Sequence, residues 1–192
     1  MGDLGVLPGP VPPAPAPFTS PDSLVAFKLP LKAYLQKNPQ FNSVAVAAFV
    51  FNDEGKLLVV QRAAHDSFPL LWEVPGGACD YEDESLLHAV ARELWEESGL
   101  RAKSIVAAVG EGISIPYRGN RLMFKCSFLT EVEHYDVKLD PNEHQAFLWV
   151  TEEEARAGKC GDVEFKYTTK EQQCIVYEAF KLNNDRRAAQ AH

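Results

Sequence analysis

Three carboxylates crowd one short stretch of this chain: Glu93, Glu96 and Glu97. Their spacing of i, i+3 and i+4 makes side chains neighbours on a helix, with β-carbons about 5–6 Å apart. Such like charges repel at neutral pH, by roughly 0.2–0.5 kcal/mol per pair even on an exposed helix. A bound cation turns that repulsion into coordination, and carboxylate oxygens are the ligands that Mg²⁺, Mn²⁺ and Ca²⁺ prefer. Arg92 stands beside the group. Glu84 precedes it by just over two helical turns, so both can face one side, and an Arg–carboxylate bridge there would pin the preceding loop to the helix. Upstream lies Pro75-Gly76-Gly77, a backbone with no β-carbon at either glycine to obstruct a ligand. A main-chain carbonyl there is a candidate further ligand. An acidic helical face is by itself more often plain solvated surface, so the weight falls on what surrounds it.

The elements that must hold these residues can be read from apolar spacing. Leu87, Val90, Ala91 and Leu94 recur at helical intervals, which predicts a helix over Glu84 to Ser98, capped by Gly99. A short helix is expected from Pro30 to Lys37, stopped by Asn38-Pro39. Val44 to Phe51 and Lys56 to Gln61 read as a β-hairpin around the turn Asn52-Asp53-Glu54-Gly55. Further strands are expected at Leu71–Val74, Ser104–Val109, Leu122–Leu129 and Gln145–Val150. Thr151-Glu152-Glu153-Glu154 opens a short helix with capping-box chemistry, and Thr169 to Leu182 closes the chain before a frayed end. Strands first and last around one strong helix indicate a mixed α/β (α+β) sandwich. The proline-rich residues 1–23 are expected to form a disordered arm, residues 24–185 the domain, and residues 186–192 a frayed tail.

Gly77, Glu84, Arg92-Glu93, Leu94, Glu96-Glu97, Gly99 and Leu100 together resemble the Nudix box. That pattern is Gly, five residues, Glu, seven residues, Arg-Glu, an aliphatic, any residue, Glu-Glu, any residue, Gly, an aliphatic. A joint match of this length is far more specific than a short motif. One departure stands out. Six residues separate Gly77 from Glu84 where the family has five. Asp83 is the acid at the five-residue spacing, whereas the seven-residue interval to Arg92 selects Glu84. A one-residue insertion in the loop is the favoured reading, and which acid bonds Arg92 stays open. Gln61-Arg62, Leu71 to Gly77, and Glu143 to Val150 extend the resemblance over roughly residues 42–155.

The resemblance implies an α/β/α sandwich around a mixed β-sheet. It also implies hydrolysis of a phosphoanhydride (pyrophosphate) bond in a nucleoside diphosphate-linked or nucleoside polyphosphate substrate. Glu93, Glu96 and Glu97 would hold Mg²⁺ or Mn²⁺, assisted by the Gly77 carbonyl. Arg92 would orient the site through Glu84, and Glu143 would be an outer ligand or the base. Arg62 could clamp a phosphate or be a plain surface arginine. His65, His134 and His144 could shuttle protons, although a surface histidine is the commoner case. The run before Val150 resembles diadenosine tetraphosphate hydrolases, and the Trp72-to-Gly77 approach resembles enzymes of nucleoside triphosphates or sugar nucleotides. ADP-ribose, oxidised nucleotides and isoprenoid diphosphates stay open. A catalytically silent binding module would be signalled by loss of a box glutamate, and none is lost.

Composition sets the outer bounds. The chain has 192 residues, 46% of them hydrophobic, and a net charge of −8. The acidic balance argues against nucleic-acid backbone binding, which needs a basic stripe. No apolar run reaches the roughly 18 residues of a membrane span, and no basic, apolar leader opens the chain. Val6 stands where a myristoylation signal needs Ser or Thr. Cys79, Cys126, Cys160 and Cys174 form no CxxC pair, so reduced thiols in a cytoplasmic protein are expected, with the nucleus also open. A homodimer is possible.

Overall fold

The computed structural model describes residues 17–117 and 119–190. Most of the expected N-terminal arm therefore lies outside the described residues. The ordered chain nevertheless begins earlier than residue 24. The Phe18 ring meets the His88 ring edge-on at 5.0 Å, the Thr19 N–H donates to the Lys103 carbonyl at 3.1 Å, and Asp22–Phe27 forms a 3-10 helix.

A short helix follows, α1 (Leu31–Lys37), entered through Pro30 as expected. The strands are β1 (Ser43–Phe49), β2 (Leu57–Arg62), β3 (Trp72–Glu73), β4 (Ala102–Tyr117), β5 (Arg121–Val132) and β6 (His144–Val150). Between β3 and β4 runs α2 (Leu86–Ser98). After β6 come α3 (Glu152–Ala157), a small ladder of β7 (Lys159–Cys160) and β8 (Val163–Glu164), and α4 (Lys170–Gln190). Two three-stranded sheets result, ordered β1-β5-β4 and β3-β2-β6. The β1–β5 pair is parallel and the other pairs are antiparallel, so the strand arrangement is mixed.

The expected β1–β2 hairpin is replaced by a divergence. The two strands touch only near the turn, through the Phe51–Leu57 bridge and the Leu58 N–H to Val50 carbonyl bond at 2.9 Å. The edge of β1 that β2 would fill is taken by residues 75–79. There the Val46 and Ala48 N–H groups donate to the Gly77 and Pro75 carbonyls, each at 2.8 Å. This swap brings the glycine pair against β1.

Both strands are apolar on both faces because both faces are covered. Val44, Val46 and Ala48 pack with Leu87, Val90 and Leu94 of α2. Ala47 and Phe49 pack with Ile175, Val176, Ala179 and Phe180 of α4. Successive strand residues point to opposite faces, so α2 and α4 lie on opposite sides of the strand layers: an α/β/α sandwich. Two elements exceed their expected lengths. Strand β4 runs through Gly110 and Gly112, where the register shifts between Val109 and Ile113, and through Pro116, which stays in register opposite Leu122. Helix α4 continues to Gln190, so the end expected at Leu182 and the frayed residues beyond it are corrected over the described chain. Among the described residues no helix is long and apolar enough to cross a membrane.

Candidate active site

Helix α2 starts two residues later than its apolar spacing suggested. Ser85 is the N-cap, in extended geometry, and its hydroxyl accepts the His88 N–H at 3.3 Å. The helix ends at Gly99, whose φ of 68° places it in the left-handed region and whose N–H bonds the Trp95 carbonyl at 2.8 Å. The apolar stripe buries α2 against β1 and turns Glu93, Glu96 and Glu97 toward the loop that precedes the helix.

The three acids are not equivalent. Glu97 is the deepest, only 3% exposed, and accepts the Gly76 N–H at 2.7 Å. Glu93 is also buried, and Glu96 is half-buried. Gly76 is sterically required, and Gly77 leaves room for the Glu93 carboxylate. A β-carbon on Gly76 would lie 2.7 Å from the Ala47 α-carbon, and one on Gly77 would lie 2.6 Å from the Glu93 carboxylate. The Gly77 carbonyl accepts the Val46 N–H, which uses one of its two lone pairs.

Arg92 organises the face. Its Nε and Nη2 donate to the two oxygens of Asp83, each at 2.9 Å, a bidentate pair. Nη2 also donates to the Ala78 carbonyl at 2.9 Å, and Nη1 to Glu93 and Glu96 at 2.9 and 3.0 Å. The brace is therefore Asp83, not Glu84. Because Ser85 is the cap, Glu84 falls outside the helix, where its exposed carboxylate lies 3.4 Å from His88 Nε2. The acid keeps the five-residue spacing from Gly77, and the extra residue sits between that acid and Arg92.

Crowding and burial show in the protonation of the acids. Burial pushes the Glu93 carboxyl up to about 7; Arg92 pulls it down, while Glu96 and Glu143 push it up. Glu97 is driven well above the usual carboxyl range, first by burial and then by Glu93, Glu73 and Glu143, against the Gly76 N–H. Glu143 lies on the turn before β6, and its charge acts on both acids. Its own side chain is exposed.

Arg62 does not point a free guanidinium at this site. Nη1 donates to Glu73, Nη2 to Asp66 and Ser67 Oγ, and Nε to the Ser67 carbonyl. The expected phosphate clamp is a brace for its own loop and for β3. Glu73 is held in turn by His144, whose Nε2 lies 3.4 Å away. Burial alone would raise the Glu73 pKa, but the His144 bond and the Arg62 charge outweigh it and lower it. His144 is 1% exposed, a buried partner and not the surface histidine expected. Glu73 carries no local signal beyond its place in a segment similar to the family's, and nothing local marks His144 as its buried partner.

Among the described residues no three acids or histidines already stand as a closed metal cage. The donor set nonetheless suits a hard cation. Glu93 and Glu96 converge on one cationic nitrogen, and the buried acids are pushed toward protonation for want of positive charge beyond Arg92. A divalent ion would relieve both, with oxygen ligands of the preferred type.

Comparison with known proteins agrees with this geometry. The NUDIX domain family model matches residues 42–170. A MutT-like protein of Streptomyces ambofaciens is 33% identical over 121 residues, covering 61% of this chain and 69% of its own. The CTP pyrophosphohydrolase of Escherichia coli (strain K12) is 34% identical over 114 residues, covering 58% and 78%. An RNA pyrophosphohydrolase of Rhizobium meliloti is 31% identical over 114 residues, covering 50% and 67%. Among solved structures, the Escherichia coli ORF135 protein is similar with a TM-score of 0.54 at 28% identity, over 76% of this chain and 92% of that one. The NUDIX domain of Shewanella oneidensis NrtR, solved with ADP-ribose, has a TM-score of 0.57 at 20% identity, over 79% and 98%, a likeness of fold. With the box acids, the Asp83–Arg92 brace and the glycine turn all in place, this chain belongs to the Nudix family.

Proposed function

We propose that the chain is a divalent-metal-dependent pyrophosphohydrolase of a nucleoside triphosphate. Water attacks phosphorus, one P–O–P bridge breaks, and a nucleoside monophosphate and pyrophosphate leave. The observation that carries this reading is the cluster of Glu93, Glu96 and Glu97 held against the Gly76-Gly77 turn by Arg92 and Asp83. Nudix enzymes generally use divalent ions, and Mg²⁺ or Mn²⁺ bound here would neutralise phosphate oxygens and lower the pKa of a bound water. Glu93, Glu96 and Glu97 would hold the ion, with the Gly77 carbonyl assisting. Asp83 keeps Arg92, and through it Glu93 and Glu96, in place. Glu143, exposed on the turn before β6 and acting by charge on Glu93 and Glu97, would take the proton of the attacking water.

Similarity to a CTP pyrophosphohydrolase supports a nucleoside triphosphate over the other diphosphates. Similarity to RNA pyrophosphohydrolases adds a second candidate, a 5′-triphosphorylated RNA end, which the net charge of −8 disfavours. The deciding experiment is a panel with Mg²⁺: nucleoside triphosphates, ADP-ribose, a dinucleoside polyphosphate and a 5′-triphosphate RNA. Pyrophosphate released from free triphosphates supports the reading. Preferred turnover of the RNA, or of none of the panel, overturns it.

A further inference from the structure

Beyond the box, one half-buried cation lacks a counter-ion. Lys125 lies on β5 between Phe124 and Cys126, which pack with the α2-side core. Alternation sends the Lys125 side chain to the other face, toward α4. Its ammonium donates to Gln172 Oε1 at 3.3 Å. No carboxylate lies within 4.0 Å of it among the described residues. Two acids, Glu73 and Glu97, act on it from farther away.

Gln172 is the second half of the feature. It sits in the first turn of α4, 5% exposed. Its backbone N–H is capped by Thr169 Oγ1 at 3.0 Å, and its side-chain Nε2 is buried with no partner. Lys125 fixes which way the amide points, since an ammonium bonds only the oxygen and leaves the NH₂ as a free donor. Beside Lys125 on the same face the neighbouring strand side chains are small. Ala45 pairs with Lys125 and Ala47 with Ser127 in the parallel register. Helix α4 is tied to β3 nearby, through the Thr168 N–H to the Trp72 carbonyl at 3.0 Å and the Trp72 N–H to the Lys166 carbonyl at 2.8 Å.

We propose that Lys125 and Gln172 read the carbonyl edge of the substrate's nucleobase, an inference that rests on the nucleotide reading above. The free groups are donors only, so the ligand must supply acceptors. Cytosine, uracil and guanine carry a ring carbonyl whose two lone pairs can take both donors, whereas each ring nitrogen of adenine offers a single lone pair. A phosphate is the poorer fit. It would bring further negative charge beside Glu73 and Glu97, and the neighbouring cation, Arg62, is already bound to Asp66 and Glu73. A neutral carbonyl needs no such compensation. A site built to hydrogen-bond its ligand rejects the analogue lacking the partner far more strongly than an apolar pocket does.

The test needs no hydrolysis. CMP, UMP, GMP and AMP are titrated calorimetrically into the full-length chain and into Lys125→Met and Gln172→Met. The wild type should bind at least one carbonyl-bearing base at least ~10-fold tighter than AMP, and each variant should lose that margin while AMP changes less than about threefold. Lys125→Arg, with near-ultraviolet circular dichroism as a folding control, covers the case in which Lys125→Met does not fold. An equal loss for all four nucleotides would mean that Lys125 binds phosphate and would overturn the assignment. So would unchanged affinities, or no monophosphate binding at all. Base-selective binding by a chain that releases no pyrophosphate would leave this inference standing and sink the proposed reaction.

Discussion

The burial of Glu93 makes the site a source of instability, and this can be measured. Its carboxyl is pushed from an ordinary 4.5 to about 7. A group whose folded pKa is raised favours the fold when protonated. Its contribution is therefore best below pH 4.5 and is lost as pH rises through 7. The shift corresponds to about 3 kcal/mol once both states are ionised. Glu93→Gln keeps an oxygen for the Arg92 bond and removes the charge. In metal-free buffer with a chelator, the variant should be more stable than wild type by about 3 kcal/mol at pH 8.5, or roughly 6–12 °C in Tm for a domain of this size. At pH 4 the gap should close, because the wild-type carboxyl is then neutral in both states. Added Mg²⁺ should raise the wild-type Tm and leave the variant nearly unmoved, since a ligand stabilises only the state that binds it. Thermal melts by circular dichroism across pH give the answer. A variant no more stable than wild type at pH 8.5, or a gap independent of pH, would refute the electrostatic reasoning.

Two further predictions separate the brace from its neighbours. Asp83→Asn should cost about 2–3 kcal/mol, because a charge-assisted bidentate partner of Arg92 is lost, and should lower kcat by loosening Glu93 and Glu96. Glu84→Gln should stay within about 0.5 kcal/mol and leave kcat unchanged; urea denaturation and steady-state kinetics of both check this. Gly77→Ala places a methyl 2.6 Å from the Glu93 carboxylate. It should displace that acid and lower metal affinity by at least ~10-fold, read by Mn²⁺ titration; unchanged affinity would contradict the close approach.

How much of this was legible in the sequence differs by residue. Helical spacing alone brought Glu93, Glu96 and Glu97 to one face, because a 3.6-residue period leaves no other arrangement. The partner of Arg92 was not fixed in the same way. Counting from Arg92 assumes a continuous helix, and Ser85 breaks that count by capping α2 one residue after Glu84. The β1–β2 hairpin failed for a related reason. A turn with apolar flanks reports where the chain reverses, not which edge remains free, and residues 75–79 had already taken the β1 edge. Arg62, His144 and Lys125 depend on contacts between distant segments, for which no local spacing exists.

The central claim is that the buried box acids hold a divalent ion that drives phosphoanhydride cleavage. It is met most directly by pyrophosphate release from CTP, measured with Mg²⁺ titrated from zero, for wild type and Glu97→Gln. Release should be absent under chelation and rise with Mg²⁺ in the wild type, and should fall at least ~100-fold in the variant. Wild-type rates in Glu97→Gln, or release that persists without a divalent ion, would contradict it.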